Sequence, residues 1–252
     1  IKKDNERPHA KKANEIAVQN STIFHYDFSD LDSYNRQTTS ESNKTINDLS
    51  GNNNYGTVRN ISKVYFDSEQ NAMFFNGKND EDATGISINN LNYVSGPSDQ
   101  LESFTIQARI KAKSELTNHG SDERIIISFD RSAVFRLSIG SDADSGVEGK
   151  LVFGFANEDG SHTSFNSNQS LDLRDDQWHD IAVQFKANTQ NGLKLYIDGN
   201  LIHSDPNSYK PIGGHDDNET PRYGNIGNGS EMQSATGTTN PDHLFYGWIQ
   251  SI

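Results

Sequence analysis

The chain has 252 residues, with Lys+Arg 22 against Asp+Glu 35 and a formal net charge of −13, which argues against general nucleic-acid binding because phosphate needs a positive face. The hydrophobic set makes up only 32% of residues and mean hydropathy is −0.80, values that raise disorder as an alternative. Against it, 13 Phe, 9 Tyr and 2 Trp gather in short alternating runs, so the chain reads as a folded domain with polar loops.

Cysteine is absent, which removes disulfides, thiolate nucleophiles and cysteine-ligated metal centres. No run approaches the ~18 apolar residues of a membrane-spanning helix, and no signal-peptide core is present. Both ends, Ile1 and Ile252, are expected to be cuts through something longer, the C-terminal one inside an alternating apolar run.

Residues 1–22 form a basic leader with Lys2, Lys3, Arg7, Lys11 and Lys12. Pro8 followed by Ala10, Ala13, Ile16 and Ala17 fits a short helix joining the domain to an upstream region, and a solvated extended leader is the other reading. From Ile23 the period changes to two, and residues 23–252 are expected to form one all-β domain. Phe104, Ile106, Ala108 and Ile110 alternate with Thr105, Gln107 and Arg109, which puts one side on a core and the other in water. The same holds for Phe135, Leu137 and Ile139, for Leu151, Phe153 and Phe155, and for Ile181, Val183 and Phe185. Asn157-Glu158-Asp159-Gly160 and Ile197-Asp198-Gly199-Asn200 are hairpin turns, with Asp-Gly supplying positive φ. Strands joined by turns without crossover helices predict an antiparallel, two-sheet β-sandwich. Residues 30–57 and 203–243 are poor in strand signal and read as long polar loops, which at that length are usually functional or disordered.

Several motifs fall in one order: Tyr26-Asp27-Phe28; Asp48 to Val58, with Gly51 and Asn52 to Asn54; Ala72-Met73-Phe74-Phe75-Asn76-Gly77; Phe104 to Ile110; Gln177-Trp178-His179-Asp180-Ile181; Leu195 to Gly199; Ile226-Gly227-Asn228; and Phe245 to Ile252. This series resembles the laminin-G-like, concanavalin A-like lectin/glucanase superfamily, related to pentraxins, over about residues 23–252. The resemblance implies a jelly-roll sandwich that carries sugar-binding modules, adhesion domains and glycan-cleaving enzymes, and fold alone does not choose among them. Each motif also has a local reading: Asp48 to Gly56 is a rigid surface turn, and Trp178 is expected to pack between the sheets with His179 pointing the other way.

A glucanase needs two carboxylates across the scissile bond, and the E-x-D-x-E strand pattern of such enzymes is absent. So are a Gly-x-Ser-x-Gly elbow, a phosphate loop and a His-Glu-x-x-His helix, and no catalysis is expected. Calcium wants Asp, Asn and backbone oxygens on tight loops. Asn76, Asp80 and Asp82 form one candidate calcium cluster, and Asp142 and Asp144, with Glu148, a second; a solvated acidic turn is the competing reading of each. Glycan binding needs aromatic faces beside amides and carboxylates. Tyr209, His215, Asp216, Asp217 and Tyr223 in the long polar loop, with Tyr55 and Tyr93 near other turns, are the candidates; singly, each also reads as a loop anchor. Asn-x-Ser/Thr sequons start at Asn20, Asn43, Asn60, Asn168, Asn218 and Asn228, and matter only on a glycosylating secretory route.

The expectation is a non-catalytic recognition or adhesion module, extracellular or on a cell or virion surface, that binds glycan or neighbouring protein subunits, with structural calcium. A structural module of a pilin-like filament or of a virion (capsid, fibre or decoration) is the alternative, and a glycan hydrolase or lyase a third.

Overall fold

The computed structural model describes residues 22–34, 45–79, 84–94, 100–115, 123–130, 134–141, 146–157, 159–167, 171–213, 221–229 and 243–252. Period-two alternation becomes strands throughout. In chain order they are β1 (Thr45–Ile46), β2 (Gly56–Val58), β3 (Val64–Asp67), β4 (Ala72–Asn76), β5 (Ile86–Val94), β6 (Ser103–Ala112), β7 (Arg124–Phe129) and β8 (Phe135–Ile139). They continue as β9 (Leu151–Ala156), β10 (His162–Asn166), β11 (His179–Lys186), β12 (Leu193–Ile197), β13 (Asn200–Asp205), β14 (Pro221–Ile226) and β15 (Tyr246–Ser251). An eight-stranded sheet runs β1-β2-β5-β14-β7-β8-β9-β10, and a seven-stranded sheet runs β13-β12-β11-β6-β15-β4-β3. The strand pairings are antiparallel. The expected all-β jelly-roll sandwich is thus the observed architecture, and no helix occurs among the described residues. The leader at 1–21 lies outside them.

The core is built from rows that the strand register aligns. Val58, Ile86, Ile226, Ile127, Leu137, Phe153 and Phe165 follow one another across seven strands of the larger sheet, and each is buried. The facing sheet contributes Ile106, Ala108, Ile110, Ile181, Val183 and Phe185, with Phe104 stacked on Phe135 at 5.3 Å between ring centroids. Burying each large side chain of such a row stabilises by roughly 1.5–3 kcal/mol, which is how a chain poor in apolar residues holds a fold. After β14 the backbone turns at Gly227 with φ +77°, where a Cβ would stand 2.4 Å from Phe75. Any side chain there meets both the wrong dihedral and an occupied core.

The Asp48 turn is rigid as read: the carboxylate accepts the backbone N–H groups of His25, Ser50 and Asn54, each at 2.9 Å. At the Asp198-Gly199 hairpin both residues have positive φ, 51° and 76°.

Two expectations are corrected. The stretches 30–57 and 203–243 are not strand-free: β1 and β2 lie in the first, and β14 in the second pairs with both β5 and β7 inside the sheet. The orientation at 178–179 is reversed: His179 pairs with Ile110 and is buried, while Trp178 is half-buried, with the Arg109 guanidinium 5.6 Å from its ring centroid. His179 stands two residues before Ile181 and therefore shares its side of β11.

Candidate functional site

The structure separates the aromatic residues proposed for sugar binding. Tyr209 packs edge-on against Phe155 and Phe165, at 5.7 and 5.2 Å between centroids, and its hydroxyl donates to Asp205 Oδ1 at 3.0 Å. Burial raises its phenol pKa above the ordinary value, partly offset by the Asn207 amide and reinforced by Asp205. Tyr223 sits on β14 opposite Asn92 of β5, and Tyr55 precedes β2, its carbonyl accepting from the backbone and side-chain N–H of Asn89. These two belong to the β2–β5–β14 part of the larger sheet and Tyr209 to its β9–β10 edge. His215, Asp216 and Asp217 lie outside the described residues.

Of the calcium candidates, Asn76 ends β4 opposite Tyr246 and is half-buried, whereas Asp80, Asp82, Asp142 and Asp144 lie outside the described residues. Glu148 accepts from Arg174 Nη2 at 2.9 Å. Among the described residues no group of three or more His, Asp or Glu stands close enough to hold a metal ion. His179 has a carboxylate partner of the kind that would orient a general base, but it uses both ring nitrogens internally: Nδ1 lies 2.8 Å from Asp198 and Nε2 3.3 Å from Asp175.

The eight-stranded sheet carries a feature that no single strand reveals. On the side turned away from the core, the register aligns Thr45, Thr57, Ser87, Asn225, Ser128, Arg136, Gly154 and Ser164, one from each strand. Its centre is closed: Ser87, Asn225 and Ser128 are buried, and the hydroxyls of Ser87 and Ser128 have no hydrogen-bond partner among the described residues. Its β8–β10 end is open, with Ser164 exposed. There Gly154 leaves room for Arg136, whose Cζ lies 3.5 Å from where a glycine Cβ would stand, with Ser164 Oγ at 3.1 Å.

A carboxylate orients the guanidinium. Glu123 Oε1 accepts from Arg136 Nε at 2.9 Å and from Ser138 Oγ at 2.7 Å, and Oε2 lies 3.5 Å from His243 Nε2. Glu123 is therefore an orienting acceptor for a planar donor fork. The second carboxylate of this region, Asp130, is ion-paired to Arg222 at 3.1 Å and nearly buried. At the open end, the Ser164 hydroxyl and the Arg136 guanidinium together form a donor pair of the kind that bonds sugar hydroxyls or a sugar carboxylate. Sequence reading missed Glu123, Arg136, Ser138 and Ser164. Arg136 and Ser138 were visible as the polar beats between Phe135, Leu137 and Ile139, but the partners that make a row of them are far away in sequence.

Comparison with known proteins bears on the family. Solved structures with a similar fold include the binding domain of Paraclostridial Mosquitocidal Protein 1, with 15% identity and a TM-score of 0.53 over 91% of this chain and 47% of that one. The Botulinum Neurotoxin serotype G binding domain has 14% identity and a TM-score of 0.55 over 91% and 46%. The Botulinum neurotoxin serotype D ligand binding domain, solved in complex with N-Acetylneuraminic acid, has 15% and 0.52 over 92% and 47%. The chain spans about half the length of these structures, and at such identities the likeness is one of fold. No curated protein sequence matches the chain. Residues 80–238, more than half of the chain, match the family described as the Concanavalin A-like lectin/glucanases superfamily. With that match and the two-sheet jelly-roll architecture, the chain belongs to the concanavalin A-like lectin/glucanase superfamily.

Proposed function

We propose that the chain is a non-catalytic recognition module that binds carbohydrate at the open end of the polar row, from an extracellular or surface-exposed position. The observation that carries this reading is Arg136, seated over Gly154 and beside the exposed Ser164 at the open end of the outward register row. Binding domains of toxins with this fold, one solved with N-Acetylneuraminic acid, support it. The pairing of Glu123 and Asp130 with cations supports a non-catalytic role, since a glycosidase needs one carboxyl group free to protonate and a second to attack or activate water.

Glycan-array binding followed by titration tests it. Gly154→Val, which places methyl groups in the space Arg136 occupies, and Arg136→Gln are each expected to weaken binding at least about tenfold, the loss of a charge-assisted pair. Unchanged binding in both variants, or turnover of the bound glycan, overturns it. A structural calcium held by Asn76, Asp80 and Asp82 belongs to the same reading; equal Tm with calcium and with chelator removes it.

A further inference from the structure

His179 opens β11 and its side chain is 8% exposed. Each of its two ring nitrogens meets a carboxylate. Nδ1 lies 2.8 Å from Asp198 Oδ2, in the β12–β13 hairpin, and Nε2 lies 3.3 Å from both oxygens of Asp175, in the segment before β11. The imidazole thus bridges the hairpin to that segment.

Both carboxylates are fixed as acceptors. Asp198 Oδ1 takes the backbone N–H of Asp180 at 2.9 Å, and Asp175 Oδ1 takes that of Gln177 at 2.9 Å. The other charges on the elements packed around the ring are matched among themselves, Asp180 with Arg109 of β6 at 2.8 Å and Asp176 with Lys113 at 3.1 Å. Asp175 and Asp198 have His179 as their ionic partner.

A neutral imidazole has one N–H and one lone pair. In that form one nitrogen turns its lone pair towards a carboxylate that can only accept, and the contact becomes repulsive. The imidazolium has two N–H groups and satisfies both carboxylates with charge-assisted hydrogen bonds. The arrangement therefore matches the charged ring alone.

We infer that His179 is a pH-sensitive latch: as an imidazolium it clasps Asp198 and Asp175 and holds the β12–β13 hairpin to the segment before β11, and on losing a proton it lets Asp175 go. The proton leaves Nε2, whose contact is the longer of the two. Folding that favours the protonated ring makes stability fall as pH rises, so the latch is fully closed below the ordinary histidine range and opens as pH climbs above it. The hairpin ends in β13, the edge strand of the seven-stranded sheet. Opening therefore loosens a sheet edge and leaves the core packed.

Asp175→Asn separates charge from shape. The amide keeps an oxygen for the Gln177 N–H and offers its own N–H to the lone pair of a neutral His179, so the bridge persists without the extra proton. Urea unfolding of wild type and Asp175→Asn is compared at about pH 5.5 and about pH 8.5, either side of the histidine range. The ratio of their unfolding constants is expected to move about tenfold against wild type over that interval, the linkage of one proton held more tightly by one logarithmic unit. In nitrogen NMR of the folded wild type at about pH 7, the ring signals that Asp175→Asn displaces are expected to show N–H on both nitrogens. A ratio that is the same at both pH values, or a lone pair on Nε2 at the neutral pH, overturns the inference.

Discussion

The two sheets turn outward rows built on the same alternation but with opposite energetics. On the eight-stranded sheet the row is hydroxyls, an amide, a glycine and an arginine, closed at its centre, with the arginine paired to Glu123. On the seven-stranded sheet it is aromatic: Tyr65, Phe74 and Trp248 pair in register and stabilise one another through ring contacts, two lysines over the indole and the Trp248–Asp67 hydrogen bond. In the first row the two central serine hydroxyls gain no hydrogen bond among the described residues. The second adds to stability whether or not a ligand arrives. Substitutions should therefore destabilise the aromatic row and leave the polar row's hydroxyls nearly silent.

The largest effect is expected at Trp248. Trp248→Ala removes the Phe74 contact, two cation–π contacts and a hydrogen bond to a carboxylate at once, and should cost about 3 kcal/mol, the low end for aromatic truncation because the ring is only half-buried. In a chain of this size that lowers Tm by on the order of 8 °C. Trp178, whose ring meets the Arg109 guanidinium at 5.6 Å, is the control: Trp178→Ala should cost no more than about half as much. Equal losses at the two tryptophans would remove the claim that the aromatic row is a cooperative unit.

On the polar row the charged end should matter more than the hydroxyls. Arg136→Gln takes the guanidinium from the Glu123 carboxylate, 14% exposed, and leaves Ser138 and His243 among its partners. The cost should be about 1–2 kcal/mol, since the pair is partly screened by solvent. Restoring stability with Glu123→Gln in the same chain would show that the loss came from the stranded carboxylate; urea unfolding of the single and double variants measures it.

The aromatic side also carries a pH signature. The Glu115 carboxyl is held below the ordinary glutamate range by hydrogen bonds from Lys78 and then from the Tyr246 hydroxyl. A carboxyl depressed in the folded state contributes stability that is present above its unfolded pKa and is lost as pH falls through the folded value. Wild type should therefore exceed Glu115→Gln in Tm at neutral pH by a small margin, both groups being exposed, and the margin should close on acidification below the ordinary glutamate range. A margin that widens toward acid would mean the carboxylate is not the species that binds Tyr246.

What sequence reading reached was set by distance along the chain. Alternation within one strand is local, so β6, β8, β9 and β11 were legible from Phe104, Phe135, Leu151 and Ile181 onward. β14 was not: Pro221, Gly224 and Asn225 carry turn chemistry, and the strand exists because β5 and β7 pair with it on both sides. At Trp178 and His179, side-chain size overrode phase, although His179 is in step with Ile181. Neither outward row was readable, because each draws one residue from each strand and the register that joins them is tertiary. Tyr209, read as a sugar-binding candidate or a loop anchor, packs on Phe155 and Phe165.

The smallest effect gives the sharpest test of the contrast. The Ser128 hydroxyl is buried between Asn225 and Arg136 in the register and has no hydrogen-bond partner among the described residues. A buried hydroxyl without a partner is a desolvated group that gains nothing from folding. Ser128→Ala should then be neutral, or stabilising by up to about 1 kcal/mol, and Ser87→Ala should behave alike. A loss of more than about 1 kcal/mol in either would mean that the hydroxyl bonds an ordered water in the free protein. If instead stability is unchanged while glycan affinity falls, the hydroxyls face the ligand, and the polar row extends inward from Arg136 to the centre of the sheet.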